Sequence, residues 1–276
     1  MVIVKAFKKV MMFGFTTIWL LVAGVPFYFM AQSGFKGQFE FLAISVWALP
    51  KHPTLANFAS LMKGSFFISF GNSLIVVILS VGIILLVSAM ASFVFARMKF
   101  RFSSPLFSLV IAGLIVPIHI TLIPVYLLTI RIGLYNSLWA LIGPYVAFHI
   151  PITVFLLTEF MRTIPKELED AARMDGCGPF RLFFTIILPL SKPGLATLAI
   201  YNAVFLWNEF IFAYILISSP ERSTLPLAVV QYQGQYFSNI PAILALLTVS
   251  SLPLILIYVV MQERITKGMI MGALKG

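Results

Sequence analysis

The sequence predicts an all-α integral membrane protein with six transmembrane helices, and three observations carry that prediction. Hydrophobic residues make up 61% of the 276 positions and charged residues only 10%, against about 45–50% and about 25% in soluble domains. The apolar residues fall into six long runs, each near the roughly 20 residues needed to cross about 30 Å of hydrocarbon. Lysine and arginine gather in alternate connections between those runs. So few charges cannot cover a globular surface in water, and the same apolar excess excludes disorder.

The runs lie at about 10–31, 70–96, 106–128, 137–158, 194–217 and 241–261. Five contain no Asp, Glu, Lys or Arg, and the run at 194–217 contains only Glu209. This suits lipid, where a charge at mid-bilayer costs about 2.5–3.5 kcal/mol on insertion scales. The first run follows Lys5, Lys8 and Lys9, but it is longer than a signal-peptide core and no A-x-A site follows, so it reads as a retained span. With the N-terminus inside, 14 of the 19 Lys and Arg are cytoplasmic, which places both termini in the cytoplasm and requires an even number of spans. The formal net charge of +10 therefore orients spans and does not mark a nucleic-acid surface.

Two external segments exceed tight turns. Residues 32–66 contain Pro50 and Pro53, and residues 218–240 contain Pro220, Pro226, Gln231, Gln233, Gln235 and Asn239. The second reads as a loop with a short helix, either a contact surface for an external partner or an inert connector. In the second span Ser88, Ser92 and Ala96 recur every four residues, a small-residue stripe that lets helices approach closely. Pro117 and Pro124 interrupt the third span and Pro144 and Pro151 the fourth, as kinks beside a pathway do, though proline is also common in membrane helices. The single Cys177 excludes an intramolecular disulfide, and three scattered histidines provide no metal site. His119 and His149 read as packing histidines. No paired carboxylates, His cluster or nucleophile–base arrangement marks an enzyme.

The most polar stretch is the cytoplasmic loop 159–192. Thr163 and Pro165 can start a helix with Glu167 and Glu169 in its favoured first turns. Gly176 or Gly178 can end it in a left-handed conformation, and Pro179 fits the start of a second helix. Ile164, Leu168, Ala171, Ala172 and Asp175 fall near one face of the first helix. Periodicity leaves two readings open: a helix that docks into a groove on another protein, or one folded against its own spans.

The pattern Asp170-Ala171-Ala172-x3-Gly176-x9-Ile186-x-Leu188-Pro189 resembles the EAA loop of binding-protein-dependent ABC importer permeases, and its flanks Ile164-Pro165-Lys166-Glu167-Leu168-Glu169 and Asp175-Gly176 are similar to the carbohydrate branch. Asn72-Ser73, Phe95-Ala96-Arg97, Leu122-Ile123-Pro124, Gly133-Leu134, Trp207-Asn208-Glu209-Phe210, Leu225-Pro226-Leu227 and Leu274-Lys275-Gly276 extend the likeness to the maltose-type permease subunit from about residue 53 onward. Asp170 departs from the motif's usual Glu, and Cys177 from a usual small apolar residue.

The resemblance implies a domain division into 1–69, the first span with its extracytoplasmic segment, and 70–276, the permease domain with a coupling helix in the 159–192 loop. It implies a bacterial inner-membrane protein that forms half of a pathway for a sugar or oligosaccharide, with a glycerol-phosphate importer as the alternative. Its partners would be a second, different permease subunit, two ATP-binding-cassette ATPase subunits, an extracytoplasmic solute-binding protein and membrane lipid. No phosphate-cradling G-x-x-x-x-G-K-[ST] occurs, so ATP-Mg would be used by the ATPases and no cofactor by this chain. ATPase coupling falls to Glu169, Asp170, Ala171, Ala172, Asp175, Gly176, Leu188 and Pro189, within the 163–189 helix pair. Gln231, Gln233 and Gln235 are candidates for touching the binding protein. Trp207, Asn208 and Glu209 are pathway candidates, because sugars bind to aromatic faces and polar groups; the weightier alternative for Glu209 is a structural pairing between helices. An ion-coupled secondary transporter is the rival class, and Glu209 alone would have to serve it.

Overall fold

The computed structural model describes the backbone of residues 2–232 and 239–273, and the side chains of 8–230, 239–260 and Gln262. Twelve principal helices follow in order: α1 (Val2–Gly34), α2 (Gln38–Ala43), α3 (Ala56–Lys63), α4 (Phe66–Arg97), α5 (Ser103–Ala112), α6 (Leu122–Arg131), α7 (Leu138–Arg162), α8 (Glu167–Met174), α9 (Pro179–Leu190), α10 (Lys192–Trp207), α11 (Ile211–Leu216) and α12 (Ile240–Ala273). Among the described residues there is no strand. Among the described residues four helices are long and apolar enough to cross a membrane, or up to six spans if each of two bent pairs is one.

The first bent pair carries the interruption that Pro117 marks in the third run, and the second has no such signal inside the fifth run. The third apolar run turns by 85° between Ser103–Ile115 and Ile118–Arg131. Pro117 causes the turn: a residue before proline is pushed out of the helical region, and Val116 sits at ψ 113. Pro124 leaves α6 intact because it lies in that helix's first turn, where its missing N–H has no intrahelical partner to lose. The other bend, 70°, joins α9 to α10 at Ser191. The fifth run is also shorter than its apolar length, since α10 stops at Trp207 and α11 resumes at Ile211.

The chain divides into two compact units, residues 1–67 with 228–253, and residues 68–227 with 254–276. In the first, the apolar residues of α1 from Val10 to Val22 lie exposed, as suits a lipid-facing helix, while its end is knit into a small cap. Asn57 donates to the carbonyls of Gly34 and Lys36, each at 2.8 Å, and Gln32 and Lys36 donate to the Val46 carbonyl at 2.8 and 3.0 Å. Glu40 accepts from the Lys51 and His52 amides. The 32–66 stretch is therefore tied down by side-chain hydrogen bonds to its own backbone.

In the second unit, α4, α7 and α10 pack together. The small-residue stripe of α4 does what its spacing predicts: Ser88 and Ser92 are fully buried, and Ser92 donates to the Val154 carbonyl of α7 at 3.1 Å. A Cβ on Gly194 would sit 2.8 Å from the Phe160 ring, so glycine there is what lets α10 approach α7. Asn72 and Ser73, at the other end of α4, hold the 218–227 loop. Asn72 donates to the Glu221 and Ser223 carbonyls, and Ser73 accepts the Leu225 amide at 2.8 Å. Asn136, at φ 56, accepts both the Ser218 and Ser219 amides.

Candidate functional site

The polar loop folds as the helix pair α8 and α9, joined by a tight reversal. Gly176 takes φ +76, and the Cys177 amide donates to the Ala172 carbonyl while the Gly176 amide donates to that of Arg173. This pairing is a Schellman C-cap, in which the left-handed position favours glycine. Cys177 packs against the cluster containing Ala172, the apolar contact that accompanies such a cap. Gly178 is extended and starts α9, with Pro179 in its first turn. Thr163 does not cap α8 as the sequence suggests; its hydroxyl donates back to the Phe160 carbonyl and closes α7. Within α9 the backbone widens to a π-turn over Phe183–Ile187. Pro189 accounts for this, because its ring would collide with the carbonyl four residues earlier in a regular helix.

The face of α8 turned toward the protein is not the one that apolar periodicity selects. Glu169 and Ala172 point inward, whereas Leu168, Ala171, Arg173 and Met174 are exposed. The reason is Arg97, at the end of α4. Its guanidinium is almost fully buried, donates to the carbonyls of Met161 (2.5 Å) and Ile164 (2.6 Å), and pairs with Glu169 at 2.9 Å. A buried arginine demands a carboxylate, and Glu169 is turned in to supply it. Arg97 thus ties α4, α7 and α8 together, a role that the sequence does not reveal because the residue reads as an orienting charge.

A core of Ala89 and Phe93, Leu157 and Met161, Ala172, and Leu182, Phe183 and Ile187 seats the helix pair on its own spans. Leu188 and Pro189 are half-buried at the end of α9. Asp170, Ala171, Asp175 and Gly176 are exposed, as are Met174 (89%) and Phe180 (76%). Open space surrounds the Gly176 Cα, with nothing within 4 Å of an added Cβ. The pair is both anchored and presented: one face is fixed inside, while the other carries acidic, small and bare apolar residues.

The second cluster is a polar seam between α7 and α10. Tyr145, His149 and Thr153 recur every four residues on α7, and Gly194, Leu198, Asn202 and Leu206 do so on α10. Asn202 is fully buried and satisfied: it accepts from His149 Nδ1 at 2.8 Å and donates to Thr153 Oγ1 and the Leu198 carbonyl. Glu209 explains the break after α10. Its carboxylate accepts the amides of Phe212 (2.8 Å) and Ala213 (3.3 Å) at the start of α11, and also the Tyr145 hydroxyl. Trp207 is buried with its ring edge against Phe70, and Asn208 is exposed with its amide bonded to the Val204 carbonyl. His149 is thus a satisfied packing histidine, but His119 is exposed. Gln233 and Gln235 lie outside the described residues, as does the side chain of Gln231.

Broken spans, a polar interhelical seam and a braced, projecting helix pair suit a transport permease, and the comparisons with known proteins place the chain among transport permeases and not among enzymes. Residues 84–271 match the family described as the binding-protein-dependent transport system inner membrane component. The chain belongs to that family. It is 52% identical to a putative ABC transporter permease protein, ORF2, of Caldicellulosiruptor sp., over 96% of each chain. It is 32% identical to the diacetylchitobiose uptake system permease protein NgcG of Streptomyces coelicolor, over 94% of this chain and 86% of that one. The fold matches a chain of a bacterial ABC transporter that imports the acidic polysaccharide alginate, with a TM-score of 0.75 over 94% of this chain and 96% of that one, at 20% sequence identity.

Proposed function

We propose that this permease passes a sugar or oligosaccharide across the bacterial inner membrane, driven by ATP-Mg hydrolysis on two separate ATPase subunits. A second, different permease subunit completes the pathway, and an extracytoplasmic binding protein delivers the solute. Both termini lie in the cytoplasm, on the side that carries 14 of the 19 Lys and Arg. Residues 70–276 form the permease domain and 1–69 its N-terminal attachment. The diacetylchitobiose relative supports a carbohydrate solute.

The observation that carries this reading is the helix pair α8–α9, anchored inward through Glu169 and Ala172 and bare outward at Ala171, Met174 and Gly176. That exposed surface docks into an ATPase cleft, with Asp170 and Asp175 supplying charged contacts at its edge and Leu188 and Pro189 passing the displacement to α10. The break at Trp207-Asn208-Glu209 borders the solute pathway: Glu209 holds the break open, and Asn208 offers its exposed amide edge to solute. The segment carrying Gln231, Gln233 and Gln235 meets the binding protein.

Ion coupling is disfavoured by the chemistry of Glu209, the only acidic residue within the six apolar runs. Its oxygens serve two backbone amides and a tyrosine hydroxyl, which makes it a helix cap more than an ion ligand. The test is ATP-driven uptake by the assembled complex in proteoliposomes. Gly176→Val, which strains the φ +76 reversal without touching this chain's interior, should abolish uptake. Undiminished uptake would overturn the coupling role.

A further inference from the structure

Beside the helix pair lies a groove of about 930 Å³, most of whose cationic side chains the transport reading leaves without a role. One wall is the turn from Met98 to Ser104 between α4 and α5, and the other is formed by the end of α7 with α8. Six cationic side chains line it, Arg97, Lys99, Arg101, Arg162, Lys166 and Arg173, against two acids, Glu169 and Asp170. Glu169 is consumed by Arg97, and Arg162 is paired with Glu159 at 2.7 Å. Among the described residues Lys99, Arg101 and Lys166 form no ion pair. Two of the guanidiniums are set against aromatic rings, Arg101 at 5.6 Å from the Phe102 centroid and Arg162 at 5.5 Å from that of Phe107. Ser103 and Ser104 bring hydroxyls and the first turn of α5, which contains no acid, to the same groove. The surplus charge selects an anion.

The location selects what the anion is attached to. The apolar run of α4 ends at Arg97, and the next apolar run begins just beyond Ser104, so the groove sits at the boundary between hydrocarbon and water. A wholly apolar slot of about 220 Å³, lined by Met90, Phe93, Val94, Phe180 and Phe184, opens beside the same end of α4, and Met98 lines both spaces. We infer that the groove binds the phosphate headgroup of an anionic phospholipid, one of whose acyl chains lies in the aromatic slot. A free phosphate would share the headgroup chemistry but would leave the slot empty. The inference does not depend on which solute is carried.

The test uses the full-length protein in the complex in which it purifies, equilibrated with mixed phosphatidylcholine and phosphatidylglycerol vesicles and then analysed by native mass spectrometry for retained lipid. Phosphatidylglycerol should be retained selectively. Lys99→Gln with Arg101→Gln should lower its retention about 25-fold at low salt, and Lys166→Gln alone about fivefold, at roughly fivefold per lost cation. Lys8→Gln with Lys9→Gln, outside the groove, should change nothing, and Phe184→Ser should weaken retention through the slot. Equal retention in the wild type and all groove variants would overturn the proposal. So would displacement of the lipid by inorganic phosphate together with an unchanged Phe184→Ser variant, which would mark a free-phosphate site. Loss of a protein subunit, with lipid retention intact, would mark an acidic protein seat and overturn it equally.

Discussion

The sharpest test of the anchored helix pair is to cut its buried tie. The Arg97 side chain is 2% exposed and that of Glu169 is 8%, so neither charge can fall back on water. Removing one partner of such a pair costs about 3–5 kcal/mol, because the other is left buried and uncompensated. Arg97→Met also takes the side-chain donor from the Ile164 carbonyl, while the Met161 carbonyl keeps the Ile164 amide, whereas Glu169→Leu leaves the guanidinium with its two acceptors but no counter-charge. Arg173, 3.9 Å from Glu169 and largely exposed, is too weak a substitute. The double substitution removes both charges together and should cost only the stranded Ile164 carbonyl, on the order of 1–3 kcal/mol. The affected equilibrium is detachment of α8 from α4 and α7, so a 3 kcal/mol loss should raise the detached population about 150-fold. Hydrogen exchange of the Glu167–Met174 amides reads that population directly. Both single variants should exchange much faster than wild type and the double variant should fall well below their sum. Unchanged exchange in either single variant, or strict additivity in the double, would refute the buried tie.

Three further outcomes follow from other contacts. Gly194→Ala should lower the thermal midpoint of the purified protein by a loss of about 1–3 kcal/mol, since its Cβ meets the root of the Phe160 ring at 2.8 Å, whereas Gly14→Ala, inside α1 with nothing within 4 Å, should not lower it. Glu209→Ala should cost about 0.5–2 kcal/mol as a lost helix cap, while Glu209→Gln keeps an acceptor for the Phe212 amide and should retain ATP-driven uptake; abolished uptake in the glutamine variant would favour ion coupling instead. Burial holds the Lys36 ammonium below the ordinary lysine range, with Glu40 pulling the other way. The folded cap therefore binds fewer protons than the unfolded chain in alkaline solution, so its stability should rise as pH climbs from the folded toward the unfolded lysine value. Proteolytic protection of residues 35–54 against pH measures this, and Lys36→Met should flatten the rise.

The spans were legible because lipid makes a direct demand: a run of apolar residues of bilayer length has few other uses. Their breaks were legible only in part. Prolines 117, 124, 144, 151 and 253 all fall in apolar runs, yet only Pro117 turns its helix sharply, because Val116 leaves the helical region there while Pro144, Pro151 and Pro253 sit inside continuous helices. The break after Trp207 depends on a carboxylate that caps α11 and meets Tyr145, which is far away in sequence. The Gly176 reversal and the Pro179 start were readable, since each rests on one residue's backbone preference. The inward face of α8 was not, because apolar periodicity counts Glu169 as outward and only the distant Arg97 reverses that.

These contacts also decide how a push on α8 must travel. If the pair were a loose arm, an ATPase could move it without moving the spans. Displacing α8 alone would break the Arg97–Glu169 pair, leave the Arg97 guanidinium buried without its counter-charge and open the core around Ala172, Leu182 and Ile187. Carrying α4 and α7 along breaks none of these, so the softer motion is the collective one. The same α7 carries Tyr145, His149 and Thr153 into the seam with α10, and α10 leaves α9 through a single bend at Ser191. A displacement entering at α8 thus reaches the seam through α7, and one entering at α9 reaches it through α10. The seam is joined by hydrogen bonds that tolerate few intermediate geometries, so a displacement reaching it should switch it between discrete packings. Asn202→Leu should separate the two routes: with the seam unbonded, ATP hydrolysis by the assembled complex should persist while solute uptake falls.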